Sequence, residues 1–443
     1  MTKRYESWGR FPKVKHTEVV PIFWRTQVPD LAGFGKPVLP FGMGRSYGDV
    51  CLNEGGVLLD ASYMSRCIDF DEENGLLRCE AGATLDEILK LVVPKGWFLP
   101  VTPGTKYVTL GGAIANDVHG KNHHKAGTFG RYVTRFELLR SDGERLICSP
   151  EENVDLFKAT IGGLGLTGLI LWAEIRLKPI KSAMIEVEKI KFGSLDEFFE
   201  ISASSDEDYD YTVAWIDCLA TGENLGRGIF MRGNHADAPV ELKPHDDGKL
   251  IVPVDFPGFV LNPLTMKLFN LGYYGVQRKK IVKSLMHYDP FFYPLDSIRE
   301  WNRIYGKKGF LQYQFVIPTT EHRRTIKAIL ERIARSGVAS FLAVLKEFGD
   351  IRSPGMLSFP RPGVTLSLDM PFRGGKTLLL LEELDKMVMD AGGVLYPAKD
   401  ARMSALDFQT FFPQWREFAR FVDPHFSSNF WRRVTQPIKE GIE

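Results

Sequence analysis

Cysteine is scarce in this chain. Five occur among 443 residues, Cys51, Cys67, Cys79, Cys148 and Cys218, and none forms a CxxC pair. Scattered thiols with apolar neighbours exclude a disulfide framework and a cysteine zinc site, and fit buried thiols in a reducing compartment. Excess charge is lacking too: 56 Lys and Arg stand against 55 Asp and Glu, a formal net charge of +1. A nucleic-acid-binding element would carry a basic excess. No run approaches the roughly 18 apolar residues of a membrane span. The stretch MTKRYESWGRFPKVKH has charges and no apolar h-region, so no secretory signal is read in it. The 44% hydrophobic and 25% charged content suits a folded globular chain, and 443 residues exceed one typical core, so two domains are expected.

Glycine, by contrast, is concentrated where it matters. PGTKYVTLGGAIANDVHGKNHHKAGTFG (103–130) combines glycines with His119, His123, His124 and Asn116, and holds few large apolar residues. Burial alone does not account for such a segment; it reads as an ordered loop around a polar, phosphate-bearing cofactor. A second loop, FGMGRSYGD (41–49), lies upstream between the strand-like runs PVLP and GGVLLDAS. Each loop alone is equally a pair of tight turns. Together they suit a dinucleotide, whose pyrophosphate is bound by successive backbone N–H groups.

Residues 57–180 read as an α+β unit. GLLRCEAG (75–82) is strand-like, and Thr84 with Glu87 forms a capping box opening a helix that Pro94 ends. FELLRSDGERLIC (136–148) reads as a hairpin turning at Asp142-Gly143, NVDLFKATIGG (153–163) as a short helix, and LTGLILWAEIRLKP (166–179) as a strand. GGLGLTG (162–168) contains GxGxxG but follows a helix and opens a strand. A Rossmann fingerprint needs the reverse order, so that reading is rejected. Beyond Pro179 come strands at 309–318, 340–349 and 363–371 around a helix at 319–337, which suggests a separate substrate domain. FPGFVLNPLTMKLFNLGYYG (256–275) is apolar yet broken by Pro and Gly, and is read either as core or as an exposed flap that meets a membrane. The expected domains are 1–182, 183–393, and a return to the first domain over 394–443.

The motifs GMGRSYGD (42–49), PGTKYVTLGGAIANDVHGKNHHKAGTFG (103–130), GGLGLTG (162–168), EWNRIYGKKGFLQYQFVIP (300–318) and LYPAKDAR (395–402) resemble the vanillyl-alcohol-oxidase type of FAD-binding oxidoreductase. Within it they are most similar to the decaprenylphosphoryl-β-D-ribose oxidases. The resemblance runs from about Ser7 to Pro424. It implies an α+β fold: a PCMH-type FAD-binding domain of two subdomains, and a substrate domain whose antiparallel sheet is flanked by helices. It also implies oxidation of the 2′-hydroxyl of a polyprenylphosphoryl ribofuranose to a ketone, with hydride passing to FAD. A separate NADH-dependent short-chain reductase would then complete epimerisation to arabinose, and a quinone or another acceptor would reoxidise the flavin. A cytoplasmic protein peripheral to the membrane is expected. The alternative on the same fold is an oxidase of a soluble sugar or aldonolactone.

Carried over residue by residue, the FAD contacts are Gly44, Arg45, Ser46 and Tyr47, then Gly104, Thr109, Leu110, Gly111, Gly112, Asn116, Val118 and His119, with Ile170 and Tyr396 near the ring. The substrate side is Lys121, Gln312, Gln314, Lys346, Ser367 and Lys399. Lys399 is the candidate base, a lysine that burial would make neutral near pH 7; by itself Lys399-Asp400 is equally a solvated turn. His119 either orients the ribose or takes part in proton transfer. Gln312 and Gln314 share one strand face, as two amides reading sugar hydroxyls should. Lys121 and Lys346 are left between the substrate phosphate and the charge of FAD. His119 and His123 have the i, i+4 spacing of a metal pair, but Gly120 disfavours a helix and no HExxH glutamate is present. Two departures from the resemblance stand out. The histidine that attaches FAD covalently in many relatives is missing from Arg45-Ser46-Tyr47-Gly48, so FAD is expected to be non-covalent. Ser367 replaces the cysteine that nitroaromatic benzothiazinones modify, so that covalent inhibition is expected to be lost.

Overall fold

The VLLD run at Val57–Asp60 is buried throughout and takes Glu18–Pro21 and Val38–Phe41 as parallel neighbours on either side. This is the first of three main sheets in the computed structural model, which describes residues 4–238, 242–248, 250–338 and 340–438. The second sheet is antiparallel, with strands ordered Cys67–Asp71, Leu76–Glu80, Leu169–Arg176, Val133–Leu139, Arg145–Cys148. Its local signals behave as the sequence indicates. The Thr84 hydroxyl accepts from the Glu87 N–H at 3.2 Å, and the Glu87 carboxylate accepts from the Thr84 N–H at 2.8 Å. Helix Leu85–Val92 then buries Leu85, Ile88, Leu89 and Val92 along one stripe. Gly143, at φ +85°, turns the hairpin.

The GGLGLTG segment links helix Val154–Thr160 to strand Leu169–Arg176, the helix-to-strand order that rules out a Rossmann fingerprint. Its Gly162 and Leu164 N–H groups donate to Ile114 and Ala115, so this turn abuts the second glycine-rich loop.

The third sheet is antiparallel and has eight strands: Ile281–His287, Met184–Phe192, Gly228–His235, Tyr211–Ile216, Ala343–Phe348, Gly363–Pro371, Phe310–Pro318 and Val394–Leu395, in that spatial order. On one face Tyr313, Phe315, Leu345 and Leu366 join a core with Ile326, Ile329 and Ile333 of helix His322–Ser336 and Leu381 and Leu384 of helix Gly375–Asp390. The period of two turns Gln312, Gln314, Lys346, Thr365, Ser367 and Asp369 to the opposite face. That face meets the second glycine-rich loop. The chain ends in short helices that pack back on the N-terminal sheet: Phe426 bridges Val38, and Arg433 pairs with Asp49 at 2.6 Å. Mixed helices and largely antiparallel sheets make this an α+β fold.

Two expectations change. Cys79, Cys148 and Cys218 are buried, but Cys67 is exposed, because it sits on an edge strand opposite Cys79. The core reading of 256–275 fails. Residues Pro263–Val276 form a helix that anchors on buried Met266 and Asn270, while Phe259, Leu264, Leu268 and Val276 are 76, 65, 59 and 82% exposed.

Candidate active site

The first glycine-rich loop is fixed by backbone contacts that leave no room for side chains. A Cβ on Gly48 would fall 1.5 Å from the Asp400 carbonyl oxygen, and the Tyr47 N–H donates to Ala398 at 3.0 Å. The loop is thereby bound to the Tyr396–Asp400 turn. Gly44 holds φ +61° against the Glu6 carbonyl. Arg45 lays its guanidinium 3.9 Å over the Trp8 ring, and the Ser46 carbonyl accepts from the Trp8 N–H.

In the second loop, Thr109 caps the short helix Leu110–Ala115 by accepting from Gly112 N–H at 3.1 Å. Gly111 lies against Ala81, and Gly104 faces open space. Leu110, Ala113, Ile114 and Val118 share an apolar cluster with Ile170. Asn116 donates to the Gly112 carbonyl, and Tyr396 reaches the Asn116 carbonyl at 2.9 Å while stacking on Phe359.

Both loops carry buried polar atoms without protein partners: Arg45 Nε, Asn116 Oδ1, His119 Nδ1 and both ring nitrogens of His123. Leaving such groups unpaired is costly, so their concentration on two loops marks a bed for a polar ligand. The two carboxylates there are consumed, Asp49 by Arg433 and Asp117 by Ser353, Ser358 and the Gly130 N–H. A dinucleotide anion therefore meets polar groups and no free acid, and FAD fits these residues.

The third sheet sets its polar face against the second loop. Gln314 meets His119 Nε2 at 3.0 Å. Facing the amide nitrogen, Nε2 accepts, which puts the imidazole proton on the unpartnered Nδ1. Burial, then Lys346, His123 and Lys399, hold His119 well below its ordinary pKa, so it is neutral. Gln312 donates to Asp369 at 2.5 Å and also bonds Tyr47. Ser367 stands directly across from Gln314, half-buried.

Three buried amines lie near this contact and feel one another's charge. Lys399 Nζ lies 4.0 Å from the Tyr47 ring centroid. Burial and Lys346 push its pKa down, and Asp369 resists. Lys346 donates to the Gly120 carbonyl at 3.2 Å and is lowered to about 8 by burial. Lys121 donates to the Phe292 carbonyl at 3.0 Å and is lowered to about 7 by burial and by Lys346. Among the described residues neither Lys121 nor Lys346 has an ion-pair partner, so both can meet an anion.

Asp369 and Asp117 escaped sequence reasoning. Burial raises both carboxyl groups. Asp369 was within reach of the strand period, two residues beyond Ser367; Asp117 carried little local signal, since its serine partners lie more than 200 positions away.

Over 98% of its length the chain is 39% identical to decaprenylphosphoryl-β-D-ribose oxidase of Mycolicibacterium smegmatis, covering 97% of that protein. The chain belongs to the decaprenylphosphoryl-β-D-ribose oxidase family. A domain model described as an FAD binding domain matches residues 28–149, which hold both glycine-rich loops. An uncharacterized protein of Streptomyces coelicolor is 32% identical over 79% of the chain and 99% of its own length. Human Delta(24)-sterol reductase shares 35% identity over only 26% of the chain and 22% of that enzyme. As a member of the oxidase family the protein is an FAD-dependent oxidoreductase.

Proposed function

We propose that this protein oxidises the 2′-hydroxyl of polyprenylphosphoryl-β-D-ribofuranose to the 2′-ketone, the first half of an epimerisation to arabinose. The observation that carries the reading is the convergence of Lys399, His119, Gln312, Gln314, Lys346 and Ser367 where the glycine-rich loops meet the eight-stranded sheet. FAD, when bound, supplies the acceptor for the hydride that leaves C2′. Lys399, its pKa lowered by desolvation, takes the hydroxyl proton onto Nζ when neutral. The His119 Nδ1–H and the two glutamine amides orient the sugar hydroxyls. Lys121 and Lys346, the two amines without acids, hold negative charge beside them.

The FAD contacts in this reading are the loop residues set out above, and attachment is non-covalent, because Arg45-Ser46-Tyr47-Gly48 offers no histidine. Electrons would pass on to a quinone or another acceptor, and a separate NADH-dependent reductase would restore hydride at C2′.

The exposed helix favours a lipid-linked substrate over a soluble sugar or lactone. Leu264, Leu268 and Leu271 form an outward apolar stripe, with Lys267, Arg278 and Lys279 exposed around it. An apolar face collared by cations suits the surface of an anionic membrane. No helix of the described residues is long and apolar enough to cross a bilayer, so contact would be peripheral.

The test is product trapping. Turnover of a farnesylphosphoryl ribofuranose followed by borodeuteride reduction is expected to place deuterium at C2′ and to yield both ribo and arabino epimers. Deuterium at another carbon, or none, would exclude the reaction.

A further inference from the structure

Beyond the catalytic face lies a cavity of about 550 Å³. Its walls come from three segments: the loop leading into the exposed apolar helix, residues 304–308, and the turn after strand Gly363–Pro371. Phe256, Ile304 and Phe372 make it apolar, and Lys307, Lys308 and Arg373 make it cationic. The acid among its lining residues, Asp255, is already held by Arg10 at 2.6 Å. Arg373 donates to the Leu261 carbonyl, which ties the cationic wall to the approach to the helix.

The register places this cavity relative to the sugar site. Phe310 pairs with Pro371, which lines the cavity, and the next pair on the same face is Gln312 with Asp369. Two residues of strand separate them, about 7 Å. Between the two regions stands Tyr305, its ring stacked 4.1 Å from Phe310 and its buried hydroxyl without a partner. Tyr305 is near enough to Asp369 and Tyr47 to feel their charge.

We infer that this cavity seats the phosphate and first isoprene units of a prenyl phosphate, with the tail leaving along the apolar helix. The inference rests on the lipid-linked substrate proposed above. A ribose at Gln312 projects its anomeric phosphate toward Tyr305, Lys307 and Lys308. The branched chain meets Phe256, Ile304 and Phe372, and Lys121 and Lys346 remain with the sugar and cofactor.

Two measurements on the FAD-loaded protein test this. The first is calorimetric binding of farnesyl phosphate, with inorganic phosphate and farnesol as separate probes. The second is steady-state kinetics with farnesylphosphoryl-β-D-ribofuranose. Both are made on the wild type and on the Lys307→Glu/Lys308→Glu variant, whose positions are exposed and tolerate reversal of charge. Farnesyl phosphate is expected to bind more tightly than either fragment, and the variant to lose about tenfold in its affinity, with a similar rise falling on KM. Unchanged affinity and KM in the variant would overturn the assignment. So would inorganic phosphate binding as tightly as farnesyl phosphate, which would mean an anion site without a lipid seat. If the wild type binds farnesyl phosphate in a lysine-dependent way but oxidises no lipid-linked ribose, the cavity assignment stands and the proposed function falls.

Discussion

At the scale of the residue, the decisive group is Lys399. Its amine is enclosed by protein, stacked on Tyr47, repelled by Lys346 and held in partial check by Asp369. A lysine works as a base only when neutral, and desolvation disfavours its charged form. The sign follows: activity rises with pH as Lys399 loses its proton, and falls as pH drops below its lowered pKa. Lys399→Met is expected to lower kcat about 100-fold or more and to abolish this acid limb, while FAD remains bound. A variant that keeps the limb would assign it to another group. The sequence suggested Lys399 through a resemblance and a lysine's capacity for a lowered pKa. It did not suggest Asp369, because the Gln312–Asp369 contact joins strands 57 positions apart and exists only once the sheet registers.

Elements were legible in proportion to how local their causes are. The Thr84 capping box, the Asp142-Gly143 hairpin and the helix-to-strand order around Gly163 act within a few residues, and each formed where expected. The alternation of Gln312 and Gln314 gave their shared face, since side chains on a strand alternate whatever lies beside them. Residues 256–275 were ambiguous for the opposite reason: apolar content states that a face seeks a partner, not which partner. The structure leaves that face outward on helix Pro263–Val276. Leu268→Glu is expected to weaken sedimentation with anionic lipid vesicles about tenfold or more, since burial of one leucine contributes roughly 1.5–3 kcal/mol and a carboxylate opposes both the apolar interior and the lipid charge. Equal sedimentation of variant and wild type would place the membrane contact elsewhere, or nowhere.

On the scale of the whole molecule, catalysis depends on joining parts far apart in sequence. Loop 42–48, loop 103–130, strands Phe310–Pro318 and Gly363–Pro371 and the 396–400 turn are interlocked through Gly48 against Asp400, His119 against Gln314 and Tyr396 against Asn116. The glycine-rich loops supply unpartnered polar atoms for a cofactor, and the sheet supplies amides and amines for a sugar. The exposed helix lies beside a cationic cavity that suits a lipid phosphate. No one of these parts implies the others; their arrangement points to a lipid-linked ribose presented to a flavin. The most direct measurement is the visible spectrum of the FAD-loaded protein during anaerobic titration with farnesylphosphoryl-β-D-ribofuranose. Bleaching of the oxidised flavin bands at one equivalent is the predicted result. Bands that persist with this substrate but bleach with a free sugar or lactone would contradict the account.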